Sequence, residues 1–203
     1  MKKYITLLLF LSLISSAAAQ MIILTPEKAE IAKKYTKLRM EYAKSKNYAP
    51  YDREYKKAEE KAEHLFFVEK KHNEALAEIE PFLKKNPYCI SLLQTKAIML
   101  REMGKIEDAD EVRKIWFGVM DSIMASGDGL SLETAMHVIS TAEEYDVLSI
   151  RGWERVTQML ITHNKQHYDV LTVKDAKQPD AEPFDIYFNV DLPYRSIRKM
   201  FSK

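Results

Sequence analysis

The amino-acid sequence predicts an α+β fold: N-terminal antiparallel, tetratricopeptide-like helices, followed by a small antiparallel sheet with one or two short helices. Three observations carry that prediction. Up to residue 125 the apolar residues recur three and four apart, the period of a helix face; further on they mostly alternate, the period of a strand. Between the two patterns lies Ser126 to Thr134, where Gly127 and Gly129, two of the chain's five glycines, flank Asp128. Glycine enters positive φ without a Cβ clash, so both suit a sharp reversal. The stretch is therefore the expected joint between a helical region, 20–125, and a sheet region, 126–203, packed on the helices.

Residues 1–19 read as an export signal. Lys2 and Lys3 supply the positive start, Ile5 to Ile14 the short apolar run, and Ala17-Ala18-Ala19 the small residues of a cleavage site, leaving Gln20 first. A retained anchor, or a product started at Met21, are the alternatives. The expected location is the periplasm or the outside of the cell, with no transmembrane span once the signal is cleaved near Ala19. Loss of Lys2 and Lys3 takes the formal charge from +1 to −1, a balance that argues against a nucleic-acid partner. The lysines before residue 72 are interleaved with glutamates, as on a solvated helix face. The single cysteine, Cys89, cannot form an internal disulfide, and among Ile90, Leu92 and Leu93 it reads as a small buried hydrophobe.

Thr25, Pro26 and Glu27 open the first helix with a capping hydroxyl, a first-turn proline and an acid. Ile31, Tyr35, Leu38 and Tyr42 mark its inner face, and Pro50 ends the run. Asp52 can cap a second helix with Tyr55, Ala58, Ala62, Leu65 and Phe66 inward. A third opens near Asn73 with a kink expected at Pro81, a fourth runs through Leu93, Ala97 and Leu100 to Gly104, and a fifth starts at Ile106. Ala75 and Ala109 stand one repeat length apart, with Gly104 at a helix–helix turn and Trp116 at a large-residue position. That is the spacing of a degenerate tetratricopeptide repeat, in which a small residue lets paired helices approach.

Beyond the joint, Leu132 to Ser140 reads as a strand. Thr141 to Glu144 forms a capping box for a short helix stopped at Gly152, although Tyr145 to Ile150 also suits a strand. Trp153 to Ile161 and Tyr168 to Val173 are two strands about a turn at His163 to Gln166. A loop spans Lys174 to Pro183. Phe184, Ile186, Phe188 and Val190 then alternate with polar residues as the clearest strand, before a last helix from Pro193 to Phe201.

The sequence holds no Gly-x-Ser-x-Gly, His-Glu-x-x-His, phosphate loop or dinucleotide fingerprint, and no cofactor is expected. His163 and His167 flank a turn but lack a third metal ligand nearby. Ser126 to Gly129, Thr134 with Val138 and Ile139, Glu143 to Tyr145, Tyr168-Asp169 and the Tyr187 to Asn189 strand together resemble an uncharacterised domain-of-unknown-function family. The resemblance covers roughly Asn73 to the C-terminus. It implies small exported bacterial proteins, frequent in the Bacteroidetes, with tetratricopeptide-like helices before the domain, and it carries no activity.

Two functions compete. The first is an exported, non-enzymatic binding module that recognises a protein or peptide partner through aromatic anchors, Phe67, Tyr35, Tyr42 and Tyr55. The second is a small hydrolase or ligand-binding domain using Asp128, Glu133, His137 and Glu144 around the joint. Convergence of those four in one pocket favours the second; scatter favours the first.

Overall fold

Helix α1, Pro26–Tyr42, begins where Thr25 accepts the Lys28 N–H at 3.3 Å. The computed structural model describes residues 25–178 and 180–201, so the expected export signal lies outside the described residues. The buried side of α1 is centred on Ala32 and Arg39 rather than on the expected stripe, and Ile31 is exposed. The reason is that Arg39 turns inward to a carboxylate on a later helix.

Helix α2, Glu54–Glu63, runs into one π-turn, His64–Val68, that buries Phe66 and leaves Phe67 and Val68 outside. Its N-cap position is Arg53; Asp52 instead accepts the Glu54 N–H from one residue earlier. Helix α3, His72–Lys85, continues through Pro81, which lies on its exposed side. Helices α4, Ile90–Glu102, and α5, Ile106–Met124, fold back on each other at Gly104. Ala75 and Ala109 are almost wholly buried, as small residues must be where helices of paired units approach. Phe66, Ile79, Leu83, Leu92 and Met99 pack around Ala62 and Ala75 as one core.

The predicted strand at 132–140 contracts to β1, Met136–His137. Residues before it are spent on a tight loop, in which the Gly129 N–H donates to the Thr134 carbonyl at 2.8 Å. Gly129 has φ +74°, the left-handed region, whereas Gly127 does not adopt it. A Cβ on Gly127 would instead collide with the Thr134 carbonyl, so close backbone approach is what excludes a side chain there. Helix α6, Thr141–Arg151, settles the ambiguous 145–150 stretch as helix and ends at Gly152.

Strands β2, Trp153–His163, and β3, Gln166–Asp175, form a hairpin whose Asn164 and Lys165 both have positive φ. Such a two-residue turn matches the right-handed twist of its strands. Strand β4, Phe184–Asn189, pairs with β3 antiparallel and with β1 parallel, and α7, Asp191–Phe201, follows. The sheet, in the order β1-β4-β3-β2, is therefore mixed, not antiparallel throughout. The fold is α+β, with helices preceding the sheet. Its inner face, through Leu171, Val173, Ile186 and Phe188, packs on Ile90, Val119 and Ile123 from α4 and α5. Full burial of each such side chain is worth about 1.5–3 kcal/mol. One core thus crosses the joint at residue 126.

Candidate functional site

Arg39 is almost wholly buried and joins four elements. Its Nε donates to Glu143 Oε1 at 3.1 Å, Nη1 to Ser122 Oγ at 3.0 Å, and Nη2 to the His137 carbonyl at 3.2 Å and to Glu143 Oε2. Glu143 Oε2 also accepts the Ile139 N–H at 2.8 Å. Every charge in this clasp is answered by hydrogen bonds, which is what a buried ion pair requires. The helix it anchors starts at Ser140 as N-cap residue, without the expected capping box from Thr141 to Glu144.

Beside the clasp, α6 faces α2 and the loop before it across two joined hollows. A narrow one of about 50 Å³ is lined by Tyr42, Tyr48, Tyr88, Cys89, Ile139 and Glu143. A wider cleft of about 500 Å³ is lined by Tyr51, Glu59, Glu63, Ser91, Tyr145 and Arg155. Tyr55 and Asp146 line both. The tyrosines are fixed by their own contacts. Tyr48 donates to the Ile139 carbonyl at 2.6 Å, Tyr42 donates to the Asn47 carbonyl at 3.3 Å, and the Tyr42 and Tyr48 rings meet edge to face. Burial raises the Tyr55 phenol above its ordinary range.

Asp146 is mostly buried, and no hydrogen bond to its carboxyl occurs among the described residues. Burial, then repulsion from Glu143 and Glu59, pushes it up to about 7; Lys56 offsets part of this. Glu59 is also raised, first by burial, although the Thr95 hydroxyl donates to it at 2.9 Å. Burial pushes the Cys89 thiol up to about 12, so it is no thiolate nucleophile at neutral pH. The cleft therefore sets Asp146 and Glu59 among phenol rings, with Arg53, Lys56 and Arg155 also in its lining.

A second pair lies under α6. Glu144 is fully buried, and no N–H or hydroxyl donor reaches either of its oxygens. What faces it is Asp169, itself bonded by the Gln158 amide at 2.8 Å. Burial and then Asp169 push Glu144 up to about 9, so the two carboxyls share a proton.

The four acid–base candidates at the joint do not converge. Asp128 Oδ1 accepts the Leu130 N–H at 2.9 Å and the Thr134 hydroxyl at 2.6 Å, and those bonds lower its pKa. Glu133 is exposed, with its pKa lowered by its own backbone N–H and by Ser131. His137 lies at the sheet edge, its imidazole held below the usual value by desolvation and by Arg39. No hydrogen bond or ion pair among the described residues joins any two of Asp128, Glu133, His137 and Glu144. His167 is bonded to Asp191 at 2.8 Å and stacked on Tyr194, and His163 contacts Asn164. Among the described residues no group of three or more His, Cys, Asp and Glu is placed to hold a metal.

Of the aromatic candidates, Tyr42 and Tyr55 line the hollows, and Tyr35 packs against Gly118 and the shared core. Phe67 is 46% exposed on the π-turn of α2. The residues that sequence reasoning missed are Arg39, Glu143, Asp146, Glu59 and Asp169. Arg39 left one signal: a charged residue seven positions after Ala32, on the inner side of α1.

No helix among the described residues is long and apolar enough to cross a membrane. No curated protein and no solved structure shows a significant match to the chain. A family model, the domain of unknown function DUF4919, matches residues 28–199. The match starts within α1, so the early helices belong to the family's span, not only the part from Asn73 onward. With almost all of the described fold inside that match, the chain belongs to the DUF4919 family.

Proposed function

We propose that the chain is an exported binding module that takes a segment of a protein partner into the cleft between α2 and α6, the segment presenting a basic side chain to Asp146. One observation carries this reading: the Asp146 carboxyl lines a cleft it shares with Glu59, Glu63 and three tyrosines, and no hydrogen bond to it occurs among the described residues. An ammonium or guanidinium group supplied by a partner relieves that deficit, and aromatic walls hold an extended segment at low entropy cost. The dispersal of Asp128, Glu133, His137 and Glu144 further supports binding over catalysis. The export part of the reading rests on Lys2 to Ala19 alone.

A random peptide library displayed on phage and selected on the immobilised chain tests it. Lysine or arginine should be enriched at one position, with capture weakened about tenfold or more by Asp146→Asn. If no peptide is enriched, the module reading is lost. Enriched peptides without a basic residue, captured equally by the variant, would place binding somewhere other than this cleft.

A further inference from the structure

The two edges of the sheet differ. At one end β1 is two residues long, too short to template another strand. At the other end β2 is 11 residues long and pairs only with β3 among the described residues. Among the described residues nothing pairs with its outward row of backbone N–H and C=O groups. Val156, Met159 and Leu160 on it are 51%, 59% and 51% exposed. Edge strands are ordinarily blunted by charge, proline, shortness or a bulge. From Val156 to Thr162, β2 has no ionisable side chain, no proline and no glycine, and its one irregularity is the register shift between Arg155 and Thr157.

We propose that β2 pairs antiparallel with β2 of a second copy of this chain, about a two-fold axis at Gln158, joining two four-stranded sheets into one. The self-complementary order of the strand's side chains selects this occupant. With Gln158 on the axis, Thr157 lies opposite Met159, Val156 opposite Leu160, Arg155 opposite Ile161 and Glu154 opposite Thr162. No like charges meet, and Val156 and Leu160 of one copy face Leu160 and Val156 of the other, while Met159 meets Thr157. Isologous pairing of this kind closes at two copies.

Sedimentation velocity of the chain across a concentration series should show a dimer. Met159→Lys with Leu160→Lys should weaken its association about tenfold or more, while far-UV circular dichroism stays unchanged. Gln158→Cys should form an intermolecular disulfide under oxidised glutathione, because facing residues on antiparallel neighbours bring their Cβ atoms to about 4.5–5.5 Å. Val68→Cys, equally exposed but on the π-turn, should not. A monomer at every concentration overturns the proposal. So does a dimer that survives the double lysine variant, or one that crosslinks through Val68→Cys and not through Gln158→Cys.

Discussion

Glu143 and Asp146 lie three residues apart on α6 and meet opposite fates. Glu143 faces Arg39, deep between α1, α5 and β1, and all its charge is answered by donors that the chain itself supplies. Asp146 faces the cleft, where its neighbours are Glu59, Lys56, Tyr55 and Cys89, and among the described residues no hydrogen bond reaches its carboxyl. Both are acids on the same helix, yet one completes a buried network and the other leaves one open. A satisfied buried charge fixes a fold; a partly buried one without a hydrogen bond, beside an open cleft, invites a ligand. The clasp and the cleft are therefore read as structure and as function on the same physical grounds.

The clasp breaks most directly at Arg39. Arg39→Met should cost about 3–5 kcal/mol, because it strands Glu143 in the core as an unpaired charge. For a chain of this size that is a fall in Tm of roughly 10 °C. Adding Glu143→Gln should recover a good part of the loss, since the stranded charge goes with it. A double variant no more stable than Arg39→Met alone would mean that the clasp is held by shape and not by charge.

A second expected effect separates both carboxyls from Glu144. Its folded pKa, about 9, lies above an ordinary glutamate's, so the folded state keeps a proton that the unfolded state releases. The stability tied to that proton is fully present below pH 4.5, the ordinary value, and is lost as pH rises towards 9. The slope approaches ~1.4 kcal/mol per pH unit within that window. Urea midpoints at pH 5, 7 and 9 should fall in the wild type and fall much less in Glu144→Gln. Equal slopes in the two proteins would remove the shared proton from the account.

Much of this fold was legible in local pattern, and little of the site was. The helix starts at Thr25, the β2–β3 turn and the alternation of β4 are set by residues close in sequence, where period and turn chemistry act. The 132–140 strand misled because alternation there reflects a loop folded against β4, with Ala135, Met136, Val138 and Ile139 all buried. The cleft and the clasp depend on partners about a hundred residues apart, such as Arg39 and Glu143. No spacing rule reaches that far. Glu143 and Glu144 look like cap acids in sequence, and only packing shows that one is paired and the other buried against Asp169.

Asp146 allows a finer test through pH. With the carboxyl poised at about 7, a cationic partner binds its ionised form, so binding releases a proton where the free cleft holds one. A lysine- or arginine-containing peptide selected on the chain should bind more weakly at pH 6 than at pH 8, by about tenfold, measured by calorimetry. Asp146→Asn should abolish that dependence and leave the melting temperature unchanged or raised, since it removes repulsion from Glu143 and Glu59. A binding constant flat between pH 6 and 8 would exclude Asp146 as the partner's counter-charge.

The smallest expected effect lies at the far end of α2. Phe67 is exposed one turn beyond Glu63, which lines the cleft, and the π-turn holds its ring edge-on to Phe66 at 4.9 Å between centroids. The ring is thus presented outward without being loose, which lowers the entropy cost of using it as an anchor. A segment lying along α2 from Asp146 would meet it last. Phe67→Ala should weaken capture of such a segment by roughly tenfold, about 1.4 kcal/mol, and barely move stability, because Phe66 alone of the pair is in the core. Shortened peptides that reach Asp146 but not α2's end should bind wild type and Phe67→Ala alike. If full-length peptides also fail to distinguish the two proteins, the partner's footprint stops within the cleft, and Tyr51, Tyr55 and Tyr145 are the aromatic contacts to test.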